Sequence, residues 1–217
     1  MINYKSTKRI AGLYVIVDPS FKKHSVIDVA KKALQGGAQV IQWRDKERAI
    51  KEQLRDCMAI KDLCMKFNAI FLINDHSELA RMVNSDGVHL GQKDMTIKEA
   101  RKILTPEQII GTSNATLDEA IMSEQNGADY IAVGAIFPTN TKDNTRHAGI
   151  ETLKIIRNQV NLPIVAISGI NKTNVSKVIR AGADSIAVIS AVNDADDPKK
   201  ASIELTILIM DTKNQYP

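Results

Sequence analysis

Aromatic residues are scarce. The 217-residue chain has four Phe, four Tyr and one Trp, 4% in all. No block of five like charges occurs, and Lys and Arg are spread along the chain, with 29 basic against 25 acidic residues and a net charge of +4. Nucleic-acid binding uses a clustered basic stripe with stacking aromatics, so that partner class is not expected. Cysteine is limited to Cys57 and Cys64. Their spacing matches no metal or redox motif, which excludes a disulfide scaffold and points to two reduced, buried thiols in a cytoplasmic protein. No apolar run approaches the roughly 18 residues of a membrane-spanning helix. The start, Met1 to Arg9, has no apolar stretch of the kind a signal peptide needs. What remains is a globular chain with an aliphatic core, 44% hydrophobic and 25% charged, long enough to bury about 70% of its unfolded surface.

The core-forming residues come in short β-branched runs: Leu13–Val17, Val40–Trp43, Ala69–Ile73, Gly87–Leu90, Ile109–Thr112, Tyr130–Gly134, Pro163–Ile167 and Ser185–Ile189. Segments with helical spacing separate them. The first and last runs begin 172 residues apart, a repeat of about 25. Strand and helix in alternation predict βαβ units and a parallel sheet. An internal echo supports this. Gly37-Ala38-Gln39-Val40-Ile41, Gly127-Ala128-Asp129-Tyr130-Ile131 and Gly182-Ala183-Asp184-Ser185-Ile186 share one pattern. Each glycine is expected just past a helix end, in the left-handed conformation, with the chain dropping into the next strand. Eight such units predict a single (β/α)8 TIM barrel, α/β in class. An open doubly wound sheet is the competitor, but no GxGxxG turn follows the first run. The expected organisation is an extension over 1–10, a barrel over 11–210 and a tail over 211–217.

In such a barrel the carboxyl ends of the strands build the active site. The second run ends Gln42-Trp43-Arg44-Asp45-Lys46. Alternation puts Gln42, Arg44 and Lys46 on one face, an anion clamp, and turns Trp43 toward the helices. A solvated strand end with Arg44 paired to a carboxylate is the plain alternative. Asn74 and Asp75 end the third run, and Asp94 follows the fourth. Two carboxylates on adjacent strand ends suit Mg²⁺, which takes few protein ligands and a phosphate partner; either Asp could instead cap a helix. His89 could equally be a core histidine. Ser113 ends the fifth run beside Asn114. Thr139, Thr141 and Lys142 follow the sixth in a loop opened by Pro138. Gly169 follows the seventh, after Ser168, and Ile189 and Ser190 end the eighth. Loops after strands seven and eight are the usual phosphate site of this fold, and Gly169 permits close backbone approach. One rim thus carries equipment for two anionic small molecules, one plausible as a pyrophosphate with Mg²⁺.

These segments resemble the thiamine-phosphate synthase family. The resemblance rests on Gln42-x-Arg44-x-Lys46, Asn74-Asp75, Asp86-Gly87-Val88-His89-Leu90-Gly91-Gln92-Lys93-Asp94, Gly111-Thr112-Ser113, Pro138-Thr139-x-Thr141-Lys142 and Ser168-Gly169, in family order over about residues 12–198. It implies a transferase of thiamine biosynthesis that joins a pyrimidine diphosphate to a thiazole phosphate. Carried over by position, Asp75 and Asp94 would hold Mg²⁺. Arg44, Lys46, Asn74 and Lys142 would hold the pyrophosphate, with Arg44, Lys46 and Lys142 serving catalysis. Gln42 and Ser113 would contact the pyrimidine. Thr139, Thr141, Gly169, Ile189 and Ser190 would surround the thiazole phosphate. A loop around Thr139–Thr145 would exclude water. The chain departs from the family at Ser168, usually Gly, and at Asn114, often a small residue or His. The nearest rival is a thiazole tautomerase of the same fold, disfavoured by the full set of pyrophosphate residues. A non-catalytic phosphate-binding barrel and a sugar-phosphate isomerase are further rivals. The sequence leaves the oligomeric state open, a homo-oligomer included.

Overall fold

A computed structural model describes residues 10–139 and 146–216. The strands are β1 (Gly12–Val17), β2 (Val40–Trp43), β3 (Ile70–Asn74), β4 (Gly87–Leu90), β5 (Ile109–Asn114), β6 (Tyr130–Val133), β7 (Ile164–Ile167) and β8 (Ser185–Val188). They pair in parallel, each with its neighbour in sequence, and β8 returns to β1 to close the barrel. The helices are α1 (Val26–Gln35), α2 (Ile50–Lys66), α3 (Ser77–Met82), α4 (Ile97–Ile103), α5 (Leu117–Gln125), α6 (Gly149–Arg157), α7 (Val175–Arg180), α8 (Ser190–Asn193) and α9 (Pro198–Gln215). The predicted TIM barrel is the observed fold.

Strand alternation divides the core in two. Odd-numbered residues of β1 and β2, such as Val15, Ile41 and Trp43, pack outward against the helices. Tyr14, Ile16, Val40, Leu72, Tyr130 and Val165 fill the barrel interior. Trp43 faces the helices as expected, and its Nε1–H donates to Gln53 Oε1 of α2 at 2.8 Å. The inner face of α2 repeats Gln53, Cys57, Ile60 and Cys64, a helical spacing. Both cysteines are buried and neither is in a disulfide, and burial pushes the Cys57 thiol up to about 12.

The Gly-Ala echo is a repeated helix stop. Gly37, Gly127 and Gly182 take φ of 93°, 88° and 102°. After α1, Gly37 N–H donates to Leu34 and Ala38 N–H to Ala33; after α5, Gly127 donates to Glu124 and Ala128 to Ser123. These are the paired bonds of a Schellman ending. The next residue enters the sheet: Gln39, Asp129 and Asp184 donate to Leu13, Ile110 and Ile164.

Both expected terminal boundaries shift. Ile10, assigned to the extension, is buried in the barrel interior. The tail over 211–217 is helical as far as Gln215. Its Thr212 is buried, with its Oγ1 2.9 Å from Ser176 Oγ of α7, so the last turns of α9 pack against α7.

Candidate functional site

The carboxyl rim holds two adjoining cavities. The first, about 410 Å³, is bordered by Lys46, Gln92, Asp94, Ser113, Asn114, Arg146, Ile167 and Ser168 among others. The second, about 690 Å³, is bordered by Phe21, Thr139, Ser168, Gly169, Ile189, Ser190 and their neighbours. Ile167 and Ser168 form a wall common to both. The predicted residues Lys46, Asp94 and Ser113 are thus gathered in one chamber, and Thr139, Gly169, Ile189 and Ser190 in the other. Gln42, Arg44, Asn74 and Asp75 border neither cavity. Thr141 and Lys142, with most of the loop over 139–145, lie outside the described residues.

β2 stops at Trp43, and alternation within it sets Gln42 and Trp43 on opposite sides. Asp45 turns to the helix side, where burial opposes its charge but the N–H groups of Glu47 and Arg48 and the Arg48 guanidinium hold its carboxyl below the ordinary value. Gln42 is 1% exposed on the interior side. Its Nε2 is buried with no hydrogen-bond partner among the described residues. A buried donor left unmade is costly, so this amide is suited to a ligand acceptor. Arg44 is ion-paired to Asp18, the plain alternative raised by the sequence. Asp18 is 4% exposed, and its N–H donates to Asn193 Oδ1 at 3.2 Å. The signal of Asp18 in the sequence is its place directly after Val17, at the carboxyl end of the first strand.

Neither acidic candidate caps a helix. His76 occupies the N-cap of α3, and Asp75 precedes it with φ of 63°. Thr96 caps α4 in a reciprocal box with Glu99. Asp94 instead accepts the Gly91 N–H at 2.7 Å through one oxygen. No group of three or more His, Cys, Asp or Glu gathers for a metal among the described residues. Asp75 follows β3 and Asp94 follows β4, and hard carboxylates are the ligand type that Mg²⁺ takes, few at a time and with water or phosphate completing its shell.

Ser113 Oγ lies 2.9 Å from His89 Nε2, and Gln92 Nε2 donates to the Ser113 carbonyl at 2.7 Å. Asn114 points the other way. Its amide bonds Thr112 O, and its Oδ1 accepts from Ser123 of α5 at 2.8 Å. That contact explains a polar residue at this position. Arg146 brings an unforeseen cation to the first cavity, held by Glu119 at 3.0 Å through Nη2. The loop after β7 is tight. Gly169 has φ of 67°, and a Cβ there would lie 2.6 Å from Pro138 O and 2.7 Å from Phe137 Cβ. The chain leaving β6 fills the space that a side chain would need there. Ser168 has φ of 80°, which accounts physically for the glycine usual there.

A profile of the thiamine monophosphate synthase family matches residues 13–192. The chain belongs to that family. It is 43% identical to the thiamine-phosphate synthase of Clostridium tetani over 89% of this chain and 93% of the relative. It is 45% identical to that of Pyrococcus abyssi, over 91% and 94%. Among solved structures, thiamine phosphate pyrophosphorylase from Pyrococcus furiosus superposes with a TM-score of 0.88 at 40% identity, covering 93% of this chain and 96% of the other. Membership makes the protein an enzyme of the transferase class. No described helix is long and apolar enough to cross a membrane.

Proposed function

We propose that the protein is a thiamine-phosphate synthase that joins 4-amino-2-methyl-5-(diphosphooxymethyl)pyrimidine to 4-methyl-5-(2-phosphooxyethyl)thiazole, giving thiamine monophosphate and pyrophosphate. One observation carries the two-substrate reading: two cavities share the Ile167–Ser168 wall, one bordered by cations and a carboxylate, the other by hydroxyls and a glycine turn.

The pyrimidine diphosphate occupies the first cavity, with Ser113 and, by the resemblance, the Gln42 amide on the ring. Lys46 and, by the resemblance, Asn74 and Lys142 hold the diphosphate. Arg44 joins them from the rim, oriented by Asp18. Asp75 and Asp94 would hold Mg²⁺, which when bound neutralises charge on the leaving diphosphate. The methylene C–O bond breaks and its electron pair leaves with the pyrophosphate oxygen. Negative charge concentrates there, so preplaced cations bind the transition state more tightly than the ground state. The resulting pyrimidine methyl cation is captured by the lone pair of the thiazole ring nitrogen, forming the C–N bond. No general base is needed. Thr139, Thr141, Gly169, Ile189 and Ser190 hold the thiazole phosphate in the second cavity, and residues around 139–145 exclude water from the cation. Two buried cysteines outside any disulfide support a cytoplasmic setting.

The direct test incubates the protein with both substrates, with and without Mg²⁺, and quantifies thiamine monophosphate. Product that requires both substrates and the metal is expected. Absence of product from folded protein sinks the reading, and isomerisation of the thiazole phosphate alone becomes the next assay.

A further inference from the structure

A hydrogen-bonded path runs from the barrel interior to the first cavity. Tyr14 Oη lies 3.2 Å from Tyr130 Oη. Tyr130 Oη lies 2.8 Å from His89 Nδ1, and His89 Nε2 lies 2.9 Å from Ser113 Oγ. The two tyrosines are 2% and 0% exposed and the histidine 8%. The packing is built for this path. His89, Gly111 and Tyr130 are register partners on β4, β5 and β6. A Cβ on Gly111 would lie 1.9 Å from Tyr130 Cζ. The missing side chain is the opening through which Tyr130 reaches the imidazole, whose ring stacks on it at 5.6 Å.

The path has two possible polarities, because a neutral imidazole has one donor and one acceptor. Burial raises both phenol pKa values well above their ordinary range, so both keep their protons. Suppose Ser113 donates inward. Then Nδ1–H donates to Tyr130, Tyr130 donates to Tyr14, and the Tyr14 O–H is left without an acceptor among the described residues. In the opposite sense Tyr14 donates to Tyr130, Tyr130 to Nδ1, and Nε2–H to Ser113. Every donor of the path is then used. An unmade buried donor carries its full desolvation penalty, whereas a spare lone pair at the dead end costs little. The second polarity wins.

We propose that Tyr14, Tyr130 and His89 are positioning residues that hold His89 in its Nε2–H tautomer and so present the Ser113 hydroxyl to the first cavity as a donor. The ligand atom met there must be an acceptor. That it belongs to the pyrimidine rests on the synthase reading above; the polarity of the path does not.

The test has two arms. In protein labelled with 15N-histidine, above the ordinary imidazole titration range, His89 should show the Nε2–H tautomer, its signal assigned by loss in His89→Gln. Tyr130→Phe, which keeps the ring, removes the donor to Nδ1, so the Nδ1 nitrogen signal should move toward that of a lone pair without a hydrogen bond. A wild-type Nδ1–H tautomer overturns the proposal whatever the protein catalyses. In the kinetic arm Tyr130→Phe should raise the KM for the pyrimidine diphosphate about tenfold, the loss of roughly one hydrogen bond, with the thiazole-phosphate KM unmoved. His89→Gln, whose amide can replace the Nε2 donor, should retain more activity than His89→Leu. In a Ser113→Ala background Tyr130→Phe should add nothing, because the path acts through Ser113. Equal changes in both KM values, or full additivity, would overturn the proposal. If the protein makes no thiamine monophosphate, the tautomer still decides the path and the failure falls on the synthase reading alone.

Discussion

At the amino end of the barrel strands, acids are committed to the backbone. Asp86, Asp129 and Asp184 each precede or open the approach to a strand, and each accepts the N–H of a residue on the strand before it: Phe71, Ile110 and Ile164, all at 2.8 Å. Two of them are also ion-paired to an arginine from a helix end, Arg101 with Asp129 and Arg157 with Asp184. The same arginines close the next turn by donating to Gln108 O and Val160 O, each at 2.6 Å. This is one device used twice, α4–β5 with β6 and α6–β7 with β8. The carboxyl end is built on the opposite plan. Lys46 and Asp94 stand exposed at a cavity, and the buried Gln42 amide has no partner among the described residues. Charges at one end are satisfied internally and set stability. At the other, Arg44 and Arg146 are ion-paired as well, while Lys46 and Asp94 face the cavity, on the side where active sites of this fold sit.

The comparison breaks if the two ends answer alike to mutation. The largest effect is expected from Lys46→Ala, which removes a cation aimed at charge that develops in the transition state. The rate of thiamine monophosphate formation should fall about 10²- to 10³-fold, with the urea midpoint unmoved. A near wild-type rate would reduce Lys46 to a solvated charge. Asp184→Ala is the converse. It strands the Ile164 N–H and one arm of Arg157, so about 2–3 kcal/mol of stability should be lost. Denaturant unfolding would measure this, and turnover of the folded fraction should stay near wild type. A fall in kcat without a shift in midpoint would erase the distinction between the ends.

The lower rim was half legible in the sequence. The Gly-Ala echo exposed the helix stops because a left-handed residue leaves a local mark. The arginines that complete each joint sit about 27 residues from their partners, Arg101 from Asp129 and Arg157 from Asp184, and no local pattern links them. The strands were legible to within two residues, since a strand buried on both faces is a nearly unbroken apolar run. At the upper rim, alternation assigned Gln42 and Trp43 to opposite faces. It could not show Arg44 meeting Asp18, a partner from the neighbouring strand. Tyr14 and Tyr130 read as ordinary apolar strand residues, and only the closed barrel brings their hydroxyls together across 116 residues.

Ser168 sharpens the comparison on its finest scale, because it belongs to the wall between the two cavities. Its φ of 80° is left-handed, which costs a residue with a Cβ about 1–2 kcal/mol. Glycine removes that strain but returns roughly 0.5–1 kcal/mol through the greater freedom of the unfolded chain. Ser168→Gly should therefore stabilise the protein by only about 0.5 kcal/mol, a rise of about 1–2 °C in Tm, read by calorimetry. The functional readout is more discriminating. The Ser168 carbonyl accepts the Phe137 N–H at 3.2 Å, tying this turn to the loop that carries Thr139. Gly169, the next residue, borders the second cavity alone. Removing the hydroxymethyl group should change the KM for the thiazole phosphate and leave that for the pyrimidine diphosphate where it was. A shift in the pyrimidine diphosphate KM instead would turn the Ser168 side chain into the first cavity and move the boundary between the two substrates.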